Sequence, residues 1–264
     1  MMEDDALEMF VRFNSGGKVL SKSQITMSIL EVYWPQARES REAEMDIKEA
    51  IKERHSVRQF QDIPVTEVDR EKLIELIDAC NAESGLHIQL ILNDPDCFNT
   101  FLAHYGKFTN ANNYIALVGK KSDKELDERC GYYGQRIVLE AQMMGLNTCW
   151  VAGTYGKGKC KASIDADERI VCVIAIGYGV NNGVKHKSKP VEKLCSVSED
   201  DMPIWLKNGV KAAMMAPTAL NQQKFMIELK DDQAVITAKA GPMTKIDLGI
   251  VKYSFEAASG HKCL

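Results

Sequence analysis

One order of elements runs through this chain twice, and it limits the folds open to it. Apolar periodicity predicts a helix over 67–80 with Thr66 as its N-cap, then a loop, then an alternating strand in LHIQLIL, 86–92. Helix, loop and strand return at 204–229 in IWLKNGVKAAMMAPTALNQQKFMIEL. A strand followed by a helix at 114–145 is matched by a strand and helix at 234–260, and the spacing from Gly134 to Gly145 equals that from Gly249 to Gly260. An abbreviated internal repeat predicts one chain imitating a two-fold dimer, with ligands where the halves meet. The expected domains are a first half over 45–190, a second over 191–264, and an N-terminal arm over 1–44.

The remaining elements follow from local pattern. A helix over 46–53 precedes RHSVRQF (54–60), and a short helix is expected at 97–104 before the strand NYIALVG. A long helix over 123–144 stops at Gly145, a residue suited to the left-handed position. NTCWVAGTY reads as turn and loop, a small helix ends near 162, and RIVCVIAIGYG is a buried strand. A helix over 200–215, two strands around the turn KDDQ and a closing helix over 245–258 complete the chain.

Residues 1–44 differ in character. A Gly-Gly turn and a Ser cap at Ser21 or Ser23 lead into a helical pattern ending before Pro35, then the charged run QARESREAE. Met45 opens MDIKEAIKERHSVRQF like a natural start. The segment FVRFNSGG-x-x-LSKSQ resembles a short stretch of the ParB-like domains of restriction-system proteins, which implies a fused remnant or a docking appendage.

Bulk chemistry excludes several classes. A net charge of −4 with 27% charged residues leaves no electrostatic footprint for nucleic acid or an acidic membrane. No apolar run reaches a bilayer span and MMEDDALE is unlike a signal peptide, so a cytoplasmic protein is expected. Eight cysteines, at 80, 97, 130, 149, 160, 172, 195 and 263, form no C-x-x-C and have no His at ligand spacing. They read as reduced core thiols, without a metal.

Four segments carry chemistry. RHSVRQF sets Arg54 and Arg58 four apart, the spacing at which two residues share a helix face and converge on one anion. HKSKP alternates Lys187 and Lys189, adding two cations on one side if extended. GLNTCWVAGTY ends in small residues, Ala152 and Gly153, that let a flat ligand approach backbone N–H groups. MAPTALNQQKF holds Pro217, Thr218, Asn221 and Gln223, with more hydrogen-bonding capacity than a turn requires.

In this order, R-x-S-x-R, G-L-x-x-x-W-x-x-G, K-S-K and A-P-T-x-x-N-x-Q resemble the FMN-dependent nitroreductase family over 45–264. HKSKP and DLGIVKYSFE (247–256) are similar to its branch with two half-domains fused in one chain. The resemblance implies an α+β fold, a mixed or antiparallel central sheet flanked by helices. It implies a single-chain pseudo-dimer, either monomeric or dimerised further.

It also implies an oxidoreductase that uses NAD(P)H to reduce a nitro, quinone or similar small acceptor by ping-pong hydride transfer through FMN. The alternative is a flavin-binding or flavin-delivering protein without turnover. Arg54, Ser56 and Arg58 would hold the FMN phosphate, ribityl chain and pyrimidine edge, with main-chain contacts from His55. Lys187 and Lys189 would complete the phosphate site. Ala152 and Gly153 would face the flavin N5, Trp150 and Val151 would wall the ring, and Pro217, Thr218, Asn221 and Gln223 would approach from the other half. The chain departs from the pattern in three places. CNAESGLHIQ keeps Gln89 but lacks the Pro-Ser, the second half has no R-x-S-x-R, and Ala152 stands where the family's acidic residue is usual. The first two departures predict a single FMN site per chain.

Overall fold

Helix α1 (Ile47–Glu53) starts where the Asp46 carboxylate accepts the Glu49 N–H at 2.8 Å, and it stops because Arg54 is extended. Helix α2 (Glu67–Ser84) has the expected Thr66 cap and runs beyond residue 80 to Gly85, whose φ of +70° closes it. The computed structural model describes residues 45–99 and 106–264. The arm expected over 1–44 and most of the helix expected over 97–104 lie outside those residues.

Strand β1 (Gln89–Ile91) is shorter than LHIQLIL because Asn81 of α2 takes both backbone groups of Ile88, donating to its carbonyl at 2.9 Å and accepting its N–H at 2.8 Å. Strand β2 (Tyr114–Lys120) leads to helix α3 (Leu126–Met143), and Gly145, at φ +80°, reverses the chain. Asn147–Val151, expected as turn and loop, is instead strand β3. Its apolar core pairs with β4 (Glu168–Gly177), from Asn147 opposite Gly177 to Val151 opposite Val173. Gly145 and Asn147 signalled a turn, and the five-residue strand that Asn147 opens is too short for periodicity to reveal.

The sheet is antiparallel throughout, in the order β1-β2-β4-β3. Its central strands are covered on both faces, as the uninterrupted apolar run of β4 requires. One core, including Leu117, Ile137, Ile174, Phe225 and Phe255, joins the sheet to the helices. The other holds Val57, Phe60, Tyr114, Val151 and Val173. A β-bulge between Leu117 and Val118 reverses the alternation of β4, so Ile170 and Val173 share the second core while Cys172 lies in the first.

Helix α4 (Ile204–Met215), the hairpin β5 (Phe225–Lys230) and β6 (Gln233–Ala238), and helix α5 (Thr244–Ser259) follow. The order α2-β1-β2-α3 thus recurs as α4-β5-β6-α5. Helices α3 and α5 cross through a reciprocal contact. A Cβ on Gly131 would lie 2.1 Å from the Ile246 carbonyl oxygen, and one on Gly249 would lie 1.9 Å from that of Glu128. Each glycine faces the residue three before the other. Residues 46–264 form one compact unit, and no described helix is long and apolar enough to cross a membrane.

Candidate functional site

RHSVRQF is not helical, so the spacing that converges its arginines is the strand period rather than the helix period. Beyond α1 the chain runs along the edge of the sheet. Ser56 bridges Thr148 of β3 in parallel, with the Val57 N–H donating to the Thr148 carbonyl at 3.0 Å. Gln59 bridges Thr109, and Phe60 bridges Gly179. Residues 54, 56 and 58 therefore alternate onto one side, while Val57 drops into the second core.

Those three side chains surround one thiol. Burial pushes the Cys149 thiol up, opposed by the guanidiniums of Arg58 and Arg54 and by a hydrogen bond with Ser56. Cys149 was not among the sequence candidates. Its signal was parity: in β3 it shares a face with Val151, and both belong to the second core.

Trp150 has the opposite parity. Its indole rests against Gly134 of α3, and its Nε1–H donates to the Gln135 Oε1 at 3.4 Å. The Trp150 and Val151 side chains therefore face opposite sides of β3, as adjacent strand residues do. Val151 stays in the second core with Cys149 and Val57. Beyond it, Ala152 is half-buried and Gly153 is exposed, with nothing within 4 Å of a Cβ built on Gly153.

Arg54 is 4% exposed, and its Nη1 is a buried donor with no hydrogen-bond partner among the described residues. Burial lowers its pKa to about 10, with the nearby Cys149 opposing, so it is cationic at neutral pH. Beside it stands His186, the first residue of HKSKP and another residue absent from the sequence candidates. The Nε2 of His186 is likewise buried without a partner, while the ring hydrogen-bonds the Met214 backbone at the end of α4. Burial, then Arg54, then His55 hold its pKa below the usual imidazole value. The Arg54 Nη1 is a buried donor that an anion would satisfy, whereas the neutral His186 ring, donating its other nitrogen to the Met214 backbone, presents Nε2 as an acceptor.

The other candidates are brought close in sequence order but used differently. Lys187 is exposed, and its carbonyl accepts from the Asn221 Nδ2 and the Gln223 Nε2, each at 2.9 Å. The Lys189 ammonium is occupied by the Gln222 and Gln223 carbonyls at 2.5 and 3.3 Å. Gln223 is 3% exposed; its Oε1 accepts the Lys189 N–H at 2.8 Å, and its own N–H donates to the Thr218 hydroxyl at 3.0 Å. The amides of APTALNQQ thus stitch this loop to HKSKP, with half-buried Pro217 at its start. Asp247 of α5 anchors it from beneath, accepting the Ala219 N–H at 2.9 Å and the Gln222 Nε2 at 2.8 Å.

Gly183 locks the approach to HKSKP. A Cβ there would lie 2.8 Å from that of His55 and 2.9 Å from the Ser56 carbonyl oxygen, and its φ is +75°. Only glycine permits this close passage without strain.

Comparison with known proteins agrees with this architecture. Residues 46–259 match the family model described as "Putative TM nitroreductase". A "putative nitroreductase" of Thermotoga maritima superposes with a TM-score of 0.59 at 22% identity, covering 81% of this chain and 83% of that one. An FMN-dependent nitroreductase of Clostridium difficile (TM-score 0.44, 15% identity) covers 59% of this chain and 96% of its own. A "putative nitroreductase" of Desulfovibrio desulfuricans in complex with FMN (TM-score 0.44, 20% identity) covers 57% and 96%. At 22% identity the likeness to the Thermotoga protein speaks to fold alone. No curated protein matches the chain. With its family model spanning 46–259, this chain belongs to the nitroreductase family.

Proposed function

We propose that this protein is an FMN-dependent oxidoreductase that uses NAD(P)H to reduce a small nitro, quinone or similar acceptor by ping-pong hydride transfer. The observation that carries the reading is the buried, unpartnered guanidinium nitrogen of Arg54. A phosphate is the group in FMN that such a cationic donor fits, and the family of the chain makes a flavin the consistent ligand. FMN, when bound, supplies a two-electron carrier, and the protein supplies its position and electronics.

Arg54 would hold the phosphate, with Lys187 reaching it from the exposed side. Ser56 and Arg58 follow on the same face. Arg58 would bring a fixed positive charge to the pyrimidine edge, favouring the reduced flavin, because a guanidinium stays cationic at working pH. The open backbone at Gly153 leaves room for a flat ring and for the acceptor beside it. Loop 217–223 belongs to the abbreviated second half. We infer that it takes the place of a partner subunit, and the reciprocal α3–α5 glycine contact supports reading the chain as a pseudo-dimer.

The purified protein should be yellow and release FMN near one per chain, and a stoichiometry near two would sink the single-site reading. NAD(P)H should be oxidised only when a nitroaromatic or quinone acceptor is present. Bound flavin without such turnover would instead identify a flavin-binding or flavin-delivering protein. Arg54→Ala combined with Lys187→Ala should lose the flavin while the far-ultraviolet circular dichroism stays unchanged.

A further inference from the structure

Two short 3-10 turns, Pro95–Cys97 and Lys157–Lys159, are tied together beyond the end of β3. The Gly156 N–H donates to the Cys97 carbonyl at 2.7 Å, and the Gly156 carbonyl accepts the Cys160 N–H at 3.1 Å. This arrangement sets the Cys97 and Cys160 thiols against each other in the second core, hydrogen-bonded side chain to side chain. Cys97 is fully buried and Cys160 is half-buried, so only Cys160 is reached from outside.

The surroundings are polar and connected. The Tyr114 hydroxyl donates to the Asp94 Oδ2 at 2.5 Å and accepts the Lys161 N–H at 2.9 Å, while the Lys161 ammonium lies 3.1 Å from the Asp94 Oδ1. Because Asp94 holds the one hydroxyl proton of Tyr114, the donors left to a Cys160 thiolate are the Cys97 thiol and the Ala162 N–H. Donation from Cys97 leads the causes that lower the pKa of Cys160, and the same bond raises that of Cys97. The other half-buried thiol, Cys263, is pushed up to about 12 by burial and by Glu256. Of the two accessible thiols, only Cys160 has its pKa lowered, and it has a second thiol beside it.

We propose that Cys97 and Cys160 form a redox-active thiol pair that a small hydroperoxide converts to an intramolecular disulfide. The Cys160 thiolate attacks the O–O bond and takes one OH on sulfur. The other oxygen leaves as hydroxide and collects the proton that Cys160 had released, forming water. The Cys97 sulfur then displaces that OH, the S–S bond forms, and the departing hydroxide takes the Cys97 proton as a second water. Two thiols lose two electrons in all, and hydrogen peroxide gains them. The bond would fasten the segment after Gly153 to the turn at 95–97. The site does not depend on the flavin reading.

The test is to treat the full chain with stoichiometric hydrogen peroxide, unfold it in urea, block remaining thiols with N-ethylmaleimide, and map peptides by mass spectrometry. Two of the eight thiols should escape alkylation, in a single Cys97–Cys160 cross-linked peptide that dithiothreitol releases. Cys160→Ser should slow peroxide consumption about tenfold or more. Cys97→Ser should leave Cys160 as a sulfenic acid trapped by dimedone. All eight thiols remaining alkylated would overturn the proposal. So would oxidation mapped first to Cys263, or a Cys160 disulfide between two chains. The wild-type map decides the matter even if a variant fails to fold.

Discussion

A buried guanidinium with an unpartnered nitrogen is a liability in a protein that only has to stay folded. Arg54 is such a group, and among the described residues its neighbours do not repair it: Cys149 is held as a thiol by burial, and His186 is a second base rather than a counter-charge. Arg54→Met should therefore raise the stability of the flavin-free protein by about 1 kcal/mol or more, read from the urea midpoint. The same variant should bind FMN far more weakly. If stability falls instead, Arg54 is a structural residue and the phosphate reading loses its support. Leu220 argues similarly from the other side of the site. It is 95% exposed and sits at φ 54°, ψ 23°, so its side chain contributes almost nothing to the core while its backbone is strained. Leu220→Gly should gain about 0.5–1 kcal/mol, the left-handed strain relieved less the unfolded-state entropy that glycine adds. A lowered flavin affinity alongside that gain would show why a leucine stands there.

At the scale of elements, the crossing of α3 and α5 is set by backbone meeting backbone. The Cβ of Gly249→Ala would sit 1.9 Å from the Glu128 carbonyl oxygen and 2.6 Å from the Tyr132 nitrogen, neither of which can swing aside. The helices must separate, at a cost of about 3 kcal/mol or more in chemical denaturation. Gly158→Ala, where a Cβ meets nothing within 4 Å, is the control and should leave the midpoint unchanged. Element boundaries were legible where a cap marks them. Thr66, Gly145 and Gly260 stand where the helices start or stop, and the Asp231–Asp232 turn lies between β5 and β6. They were illegible where a side chain elsewhere intervenes, as Asn81 does at Ile88, or where a strand is as short as β3.

For the whole molecule, acid is the informative perturbation. Burial alone would raise the pKa values of Asp94, Glu168 and Glu256. Hydrogen bonds outweigh it: Tyr114 and Lys161 at Asp94, His87 and the Asp165 N–H at Glu168, Lys262 and Tyr132 at Glu256. Each folded value lies below the ordinary carboxylate range. The stability these groups contribute is present above that range and is lost as pH falls through the depressed values. Asp247 has the opposite sign: burial raises it despite its bonds to Ala219 and Gln222, so acidification relieves a penalty. The urea midpoint should fall between about pH 5 and about pH 3, and fall more steeply in Asp247→Asn, which removes the opposing titration. An unchanged slope in the variant would mean that Asp247 ionises in the folded protein as it does in the unfolded chain.

By itself the sequence determined what local chemistry can encode. Periods of 3.6 and 2, capping residues and turn pairs placed most helices and strands, and ordered motifs carried the family resemblance. Only the tertiary structure decided that RHSVRQF is extended, that Arg54 is buried beside His186, and that Trp150 turns away from Val151's face. Those outcomes depend on partners far along the chain: Thr148 pairs with Ser56, Gly183 passes against His55, and Gly134 receives the indole. A short polar segment has no periodicity of its own to resist such partners. Its conformation is therefore set by the sheet edge it joins.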